Sequence, residues 1–262
     1  MPPLVLGGAS VTSLLRWTIR IHKWLALIVG IQIILWVTGG VVMSIIPIET
    51  VRGEHNIAEV IPVELNTGNL ISVDEAVDAA SPPSGLLEAR LQHWHGRAVW
   101  NVIARNETSQ LVDAATGELL TPINRERAIE LALADYAGEP QISAVEYFEE
   151  PTWEYRRTGP SWRISFADGE GTRVYVSPET GLITARRNDA WRFYDFFWML
   201  HIMDYQEREN FNNPLVITAA LLALVTVFAG LILLILRMQR SLRMALSKRI
   251  LSRTGNTSKL SE

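Results

Sequence analysis

A chain of 262 residues, 48% hydrophobic and 20% charged, is long enough for one or two cored domains, and its lack of cysteine excludes disulfides, thiolate nucleophiles and Cys-ligated metal centres together. The net charge of −4 hides a segregated distribution: residues 1–47 hold Arg16, Arg20 and Lys23 with no acid, residues 48–213 hold 14 Arg and no Lys against 27 acids, and residues 214–262 hold seven bases against Glu262 alone. An acidic middle excludes nucleic acid as its partner, because phosphate binding needs clustered Lys and Arg.

Residues 1–15, with two prolines and two glycines, read as a poorly ordered start, and residues 16–23 as a basic, aromatic lead-in that contains His22. Residues 24–46 (WLALIVGIQIILWVTGGVVMSII) carry no charge and are long enough to cross a hydrocarbon core of roughly 30 Å. A cleaved signal peptide fits less well, since its apolar region runs only about 7 to 15 residues and ends at small residues, whereas this stretch ends Ile45, Ile46, Pro47. Inside the span Gln32 is the one strongly polar side chain and is expected to bond another helix. Thr38, Gly39 and Gly40 are small enough to admit a neighbouring helix, from another subunit or a second copy. Residues 47–69 read as a linker.

Two units of like pattern follow, over 70–121 and 122–188. Ser72 and Asn124 are candidate N-caps, each followed by acids in the first helical turn. Residues 99–104 (VWNVIA) and 161–166 (SWRISF) read as tryptophan-bearing strands, and residues 111–120 and 175–184 as hairpins in which Thr116 and Gly117 correspond to Thr180 and Gly181. The glycine supplies the positive φ that such a turn requires.

Residues 189–213 hold an aromatic helix and loop. At helical spacing Trp191, Tyr194, Trp198, His201 and Tyr205 share a face, so the helix is expected to lie at a membrane surface, with Asp204 one turn beyond His201 to orient its imidazole. Residues 214–236 form a second uncharged span, and residues 237–262 a basic tail suited to anionic lipid. The bases outside both spans place both termini in the cytoplasm and the acidic middle in the periplasm of a bacterial inner membrane. The fold class is a membrane protein: two transmembrane helices flanking a periplasmic α+β domain.

The helix start, tryptophan-bearing strand and closing V-D-x-x-T-G hairpin resemble the PepSY domain across residues 70–188. Ile21, His22, Lys23 and Trp24 with Thr38 and Gly39 resemble the first-helix signature of PepSY-associated transmembrane proteins, and Trp198, Met199, Leu200 and His201 resemble the "LH" element ahead of a later span. Leu25 and Ala26 stand where that family usually has Gly, and its longer members have four or more spans where this chain has two. The resemblance implies a periplasmic pair of PepSY-like repeats and, in larger relatives, iron or siderophore handling, some as haem-containing reductases; regulation of a peptidase is a third implied role.

A membrane b-type haem is usually held by two imidazoles, which makes His22 and His201 the candidate ligands. They are expected on opposite sides of the bilayer, so each would need its second ligand from another subunit. His93 and His95, two apart, would share one face of a strand and form half of a metal site that His55 or a carboxylate completes. No G-x-S-x-G or H-E-x-x-H pattern is present, which argues against a hydrolase. The expected role is therefore an accessory or regulatory interaction module in the membrane, with a haem-dependent ferric reductase as the alternative.

Overall fold

The computed structural model describes residues 8–59 and 68–257, and within the two long helices it leaves the side chains at 8–19, 21, 22, 233, 236 and 245–257 undescribed. The chain divides into two compact units. One comprises Met1–Val41 with Met199–Glu262, and the other Val42–Trp198.

The first unit is built on two long helices, α1 (Gly8–Ile45) and α6 (Pro214–Thr257). Lys23–Ile45 and Pro214–Met244 are long and apolar enough to cross a membrane. Both helices exceed their apolar cores. α1 is already helical at Gly8, within the stretch expected to be poorly ordered, and α6 continues through the basic segment instead of stopping at Leu236. Nothing in residues 237–254 breaks a helix: there is no Pro or Gly before Gly255, and Arg, Leu, Met, Ala and Lys are strong helix formers. α6 starts cleanly because Asn213 caps it, its Oδ1 accepting from the Val216 N–H at 3.0 Å, and Pro214 occupies the first helical position.

In the second unit, the first half of the expected linker is ordered structure. α2 (Ile48–Arg52) ends at Gly53 in the left-handed region, a 3-10 turn spans Glu54–Asn56, and Ile57 bridges Tyr136. The Ala58 N–H donates to Asp135 O at 2.8 Å and the Ala137 N–H to Asn56 O at 2.9 Å. Residues 60–67 of that linker lie outside the described residues.

Then come α3 (Val73–Ala80) with a three-stranded antiparallel sheet, β1 (Leu86–Trp94), β2 (Arg97–Ala104) and β3 (Ser109–Asp113), in the order β1-β2-β3. After it α4 (Arg125–Asp135) precedes a four-stranded sheet, β4 (Ile142–Phe148), β5 (Ser161–Phe166), β6 (Arg173–Val176) and β7 (Ile183–Arg187), in the order β4-β5-β6-β7. The sheets are separate. The helix α5 (Asp189–Ile202) closes the unit and continues into the first.

The two helix-and-sheet halves are held by the same hydrogen bonds. Ahead of each helix, one residue is gripped from both sides. The Ile71 N–H donates to Ala114 O at 2.8 Å and Ile71 O accepts from Trp100 Nε1 at 3.2 Å. The Ile123 N–H donates to Pro178 O at 2.7 Å and Ile123 O accepts from Trp162 Nε1 at 2.9 Å. The next residue caps the helix in each case: Ser72 in a reciprocal capping box with Glu75, and Asn124 through Oδ1 to the Arg127 N–H. Fixing the lead-in residue to strand and turn sets the angle at which each helix leaves the sheet.

One core joins the halves. Trp94 at the end of β1 is buried with Val99, Leu111, Ile123, Leu131, Ile164, Phe166, Val174 and Val176, drawn from both sheets and from α4. Its Nε1 donates to Gly181 O at 3.1 Å. Gly181 has φ of 61°, and a Cβ there would meet Trp94 Cζ2 at 2.8 Å, whereas a Cβ at Gly117 (φ 75°) would meet only Ile71 Cδ1 at 3.8 Å. Both Gly→Ala changes incur left-handed strain of about 1–2 kcal/mol, and Gly181→Ala adds a clash with an indole that cannot retreat in a packed core. Thermal unfolding followed by circular dichroism is expected to show a clearly larger loss of Tm for Gly181→Ala than for Gly117→Ala.

Candidate functional site

The groups that fasten α5 to the second sheet come from distant parts of the chain. Asn188, 2% exposed, caps the helix: its Oδ1 accepts from the Trp191 N–H at 2.7 Å, while its Nδ2 donates to Thr50 O on α2 at 2.9 Å. Glu154, 1% exposed, lies at the centre. Its Oε1 accepts from Arg192 Nε at 2.6 Å, and its Oε2 accepts from Arg173 Nη1 at 2.9 Å and the Tyr175 hydroxyl at 2.7 Å. Burial raises the carboxyl's affinity for a proton, but the hydrogen bonds from Tyr175, Arg192 and Arg173 outweigh it and hold Glu154 below the ordinary carboxylate range. Burial and the bond to Glu154 push the Tyr175 hydroxyl up to about 12, so it remains a donor. One helical turn further on, Asp195 pairs with Arg156 Nη2 at 2.6 Å.

Trp191 belongs to this clamp. Arg187 and Arg156 lie over its ring at 4.2 and 5.3 Å, and Trp153 lies 6.2 Å away. Trp191, Tyr194 and Trp198 are all half-buried, while Phe193 and Phe196 are 52% and 50% exposed and touch Phe197 at 5.0 and 5.4 Å between ring centroids. Tyr205 lies past the helix end. The stacked guanidinium groups of Arg156 and Arg187 account for the inward packing of Trp191.

Asp204 does not orient His201. α5 stops at Ile202, Met203 has φ of 54°, and the Asp204 carboxylate instead accepts from the backbone N–H groups of Gln206, Glu207, Glu209 and Asn210 at 3.0–3.3 Å. Those bonds, led by Asn210, hold Asp204 below the ordinary carboxylate range. His201 Nδ1 is buried with no hydrogen-bond partner among the described residues. The side chain of His22 lies outside the described residues.

The membrane unit contains a cavity of about 370 Å³ lined by Val29 and Gln32 of α1, Met203, and Leu215, Thr218 and Leu222 of α6 among others. Met203 thus sits against α1 near Ile28, only six residues along the helix from His22, or about 9 Å. The backbone segment that follows His201 lies nearer the His22 end of α1 than a full bilayer's width. Gln32 Nε2 and Trp36 Nε1 are buried without partners among the described residues, so the interhelical bond expected of the Gln32 amide nitrogen is not made among them. Thr38 is exposed, Gly39 buried, and a Cβ at Gly40 would meet no atom within 4 Å.

His93 and His95 do not share a strand face. β1 ends at Trp94, and His95 and Gly96, with φ of 43° and 84°, form the two-residue turn into β2, a geometry such tight hairpins require. His55 is taken by Glu170 at 2.9 Å. Among the described residues no three His, Asp or Glu side chains gather as a metal ion would need. The Glu154 cluster went unread in the sequence because its donors lie 19 to 38 residues beyond Glu154.

The sequence profile described as PepSY-associated TM region matches residues 19–259, and the chain belongs to that family. It is a membrane protein with a helix-plus-sheet domain. No curated protein and no solved structure matches the chain.

Removing the Glu154 charge leaves two arginines facing each other without their shared anion, so Glu154→Gln is expected to destabilise the sheet-bearing unit by roughly 3 kcal/mol. Because the folded-state value is depressed, the contribution of Glu154 is complete above the carboxyl's unfolded value near 4.5 and is lost as pH falls through the lower folded value. Tryptophan fluorescence against pH should show an acid transition in the wild type that is missing or weakened in Glu154→Gln.

Proposed function

We propose that this PepSY-associated transmembrane protein is a membrane-tethered interaction module. Its two spans leave both termini in the bacterial cytoplasm, a pair of PepSY-like repeats (70–121 and 122–188) stands in the periplasm, and the protein is an accessory or regulatory subunit of a larger inner-membrane complex in respiration or iron uptake. The observation that carries this reading is on α1. Gly39 is buried within the chain, but Thr38 is exposed and a Cβ at Gly40 would meet no atom within 4 Å, which leaves room for a neighbour at those two positions. Lipid gives no preference to small side chains, whereas a closely approaching helix does. The clamp at Glu154 supports the same reading, since a domain held firmly to its juxtamembrane helix presents a fixed surface. The exposed Phe193 and Phe196 suit the boundary between hydrocarbon and water.

A second reading, haem binding, is favoured by His201, whose Nδ1 is buried with no hydrogen-bond partner among the described residues. The described residues fit one axial ligand, His201, with His22 as the other candidate; haem held there would supply one-electron transfer to a ferric complex.

Two measurements separate these. Thr38→Leu together with Gly40→Leu is expected to release co-purifying membrane subunits while the circular dichroism of the protein stays unchanged; undiminished co-purification sinks the interaction reading. For the second, protein purified in mild detergent from haem-supplemented cells should show a near-stoichiometric Soret band that His201→Ala removes. A band that survives in both His22→Ala and His201→Ala, or no band at all, ends the haem reading.

A further inference from the structure

Two hydrogen-bond donors on one face of α1 have no partner among the described residues. Gln32 Nε2 and Trp36 Nε1 are four residues apart, which puts them on neighbouring turns of the same side, and both are buried. His201 Nδ1, two residues before Met203, is in the same condition. A hydrocarbon environment holds no water to act as acceptor, so unpaired N–H groups there mark either a defect or a place that something else completes. Gln32 forms part of the wall of the 370 Å³ cavity, whose other surfaces are almost wholly aliphatic: Val29, Leu215, Ala219 and Leu222, with Met203. That volume falls in the range of small-molecule sites, and an apolar enclosure with a few polar groups is their usual composition.

We infer that this cavity binds a lipid-soluble molecule bearing carbonyl acceptors on a flat apolar ring, the chemical class of the isoprenoid quinones, with one carbonyl accepting from Gln32. The unpaired amide nitrogen of Gln32 requires the ligand to bring an acceptor, which an acyl chain lacks. Phospholipid ester carbonyls are the competing acceptors, and titration against a phosphatidylcholine background separates them from a quinone. The inference is independent of the interaction reading, since it concerns the inward side of α1 and not the segment at Thr38 and Gly40.

The test uses the full-length protein in phosphatidylcholine nanodiscs titrated with decylubiquinone, read by quenching of tryptophan fluorescence. Wild type should saturate near one quinone per chain. Gln32→Leu, which suits a membrane helix and should leave circular dichroism unchanged, should weaken binding at least tenfold, and Ala219→Leu, which fills the cavity, should abolish saturation. Decylbenzene, which has the chain and ring without the carbonyls, should quench without saturating. Quenching that rises linearly with lipid-phase quinone and is the same in wild type and Gln32→Leu overturns the proposal. So does a finding by native mass spectrometry that wild type is a dimer, that Gln32→Leu and Ala219→Leu are monomers and that no quinone is retained, because a second copy then fills the cavity.

Discussion

Glu154 keeps a full negative charge where water does not reach, and the arrangement around it is what that charge demands. A buried carboxylate is tolerable only when donors replace its lost hydration, and here Arg173 and Tyr175 come from β6 and Arg192 from α5. Sheet and helix therefore cannot separate without exposing an unpaired ion. Asn188 extends the tie to α2 through Thr50, and Arg156 with Asp195 repeats it one turn along. The result is a joint in which the segment after α1, the second sheet and the helix leading back toward the membrane are fixed by directed bonds, where apolar packing alone would permit sliding.

The parts of this fold that could be read from sequence are those imposed by local rules. The two spans follow from the length of uncharged residues needed to cross hydrocarbon. Ser72 and Asn124 declare themselves as caps because Ser and Asn at those positions satisfy otherwise orphaned N–H groups. Gly117 and Gly181 mark turns because the backbone there needs positive φ. The illegible parts depend on partners far away in the chain. β1 and β4 lack clean alternation, each lying at a sheet edge with mixed burial. The inward turn of Trp191 depends on Arg156 and Arg187, 35 and 4 residues earlier. Asp204 was read as continuing a helix because no Gly or Pro announces the stop; its carboxylate instead organises the backbone of residues 206–210.

In the sheet-bearing unit distant polar side chains find one another, as when Trp94 reaches Gly181 and Tyr136 donates to Asp168 at 3.0 Å. Both units nonetheless keep buried polar atoms without partners among the described residues: Gln110 Oε1, Ser161 Oγ and Thr172 Oγ1 in the sheet-bearing unit, and Gln32 Nε2, Trp36 Nε1 and His201 Nδ1 in the membrane unit. The difference lies in the surroundings, because water can reach the edges of a sheet and not the middle of a hydrocarbon layer.

The uninterrupted course of α6 has a mechanical consequence. From Arg237 to Thr257 the helix carries on beyond its apolar stretch for about 20 residues, roughly 30 Å at 1.5 Å per residue. Membrane helices change tilt when bilayer thickness or neighbours change, and a rigid rod amplifies the angle at its far end. A reorientation of about 10° would swing that end sideways by roughly 5 Å, with the arginines and lysines of the segment travelling with it. The helix is thus a lever arm, turning small changes in the membrane into displacement of a strongly basic tip.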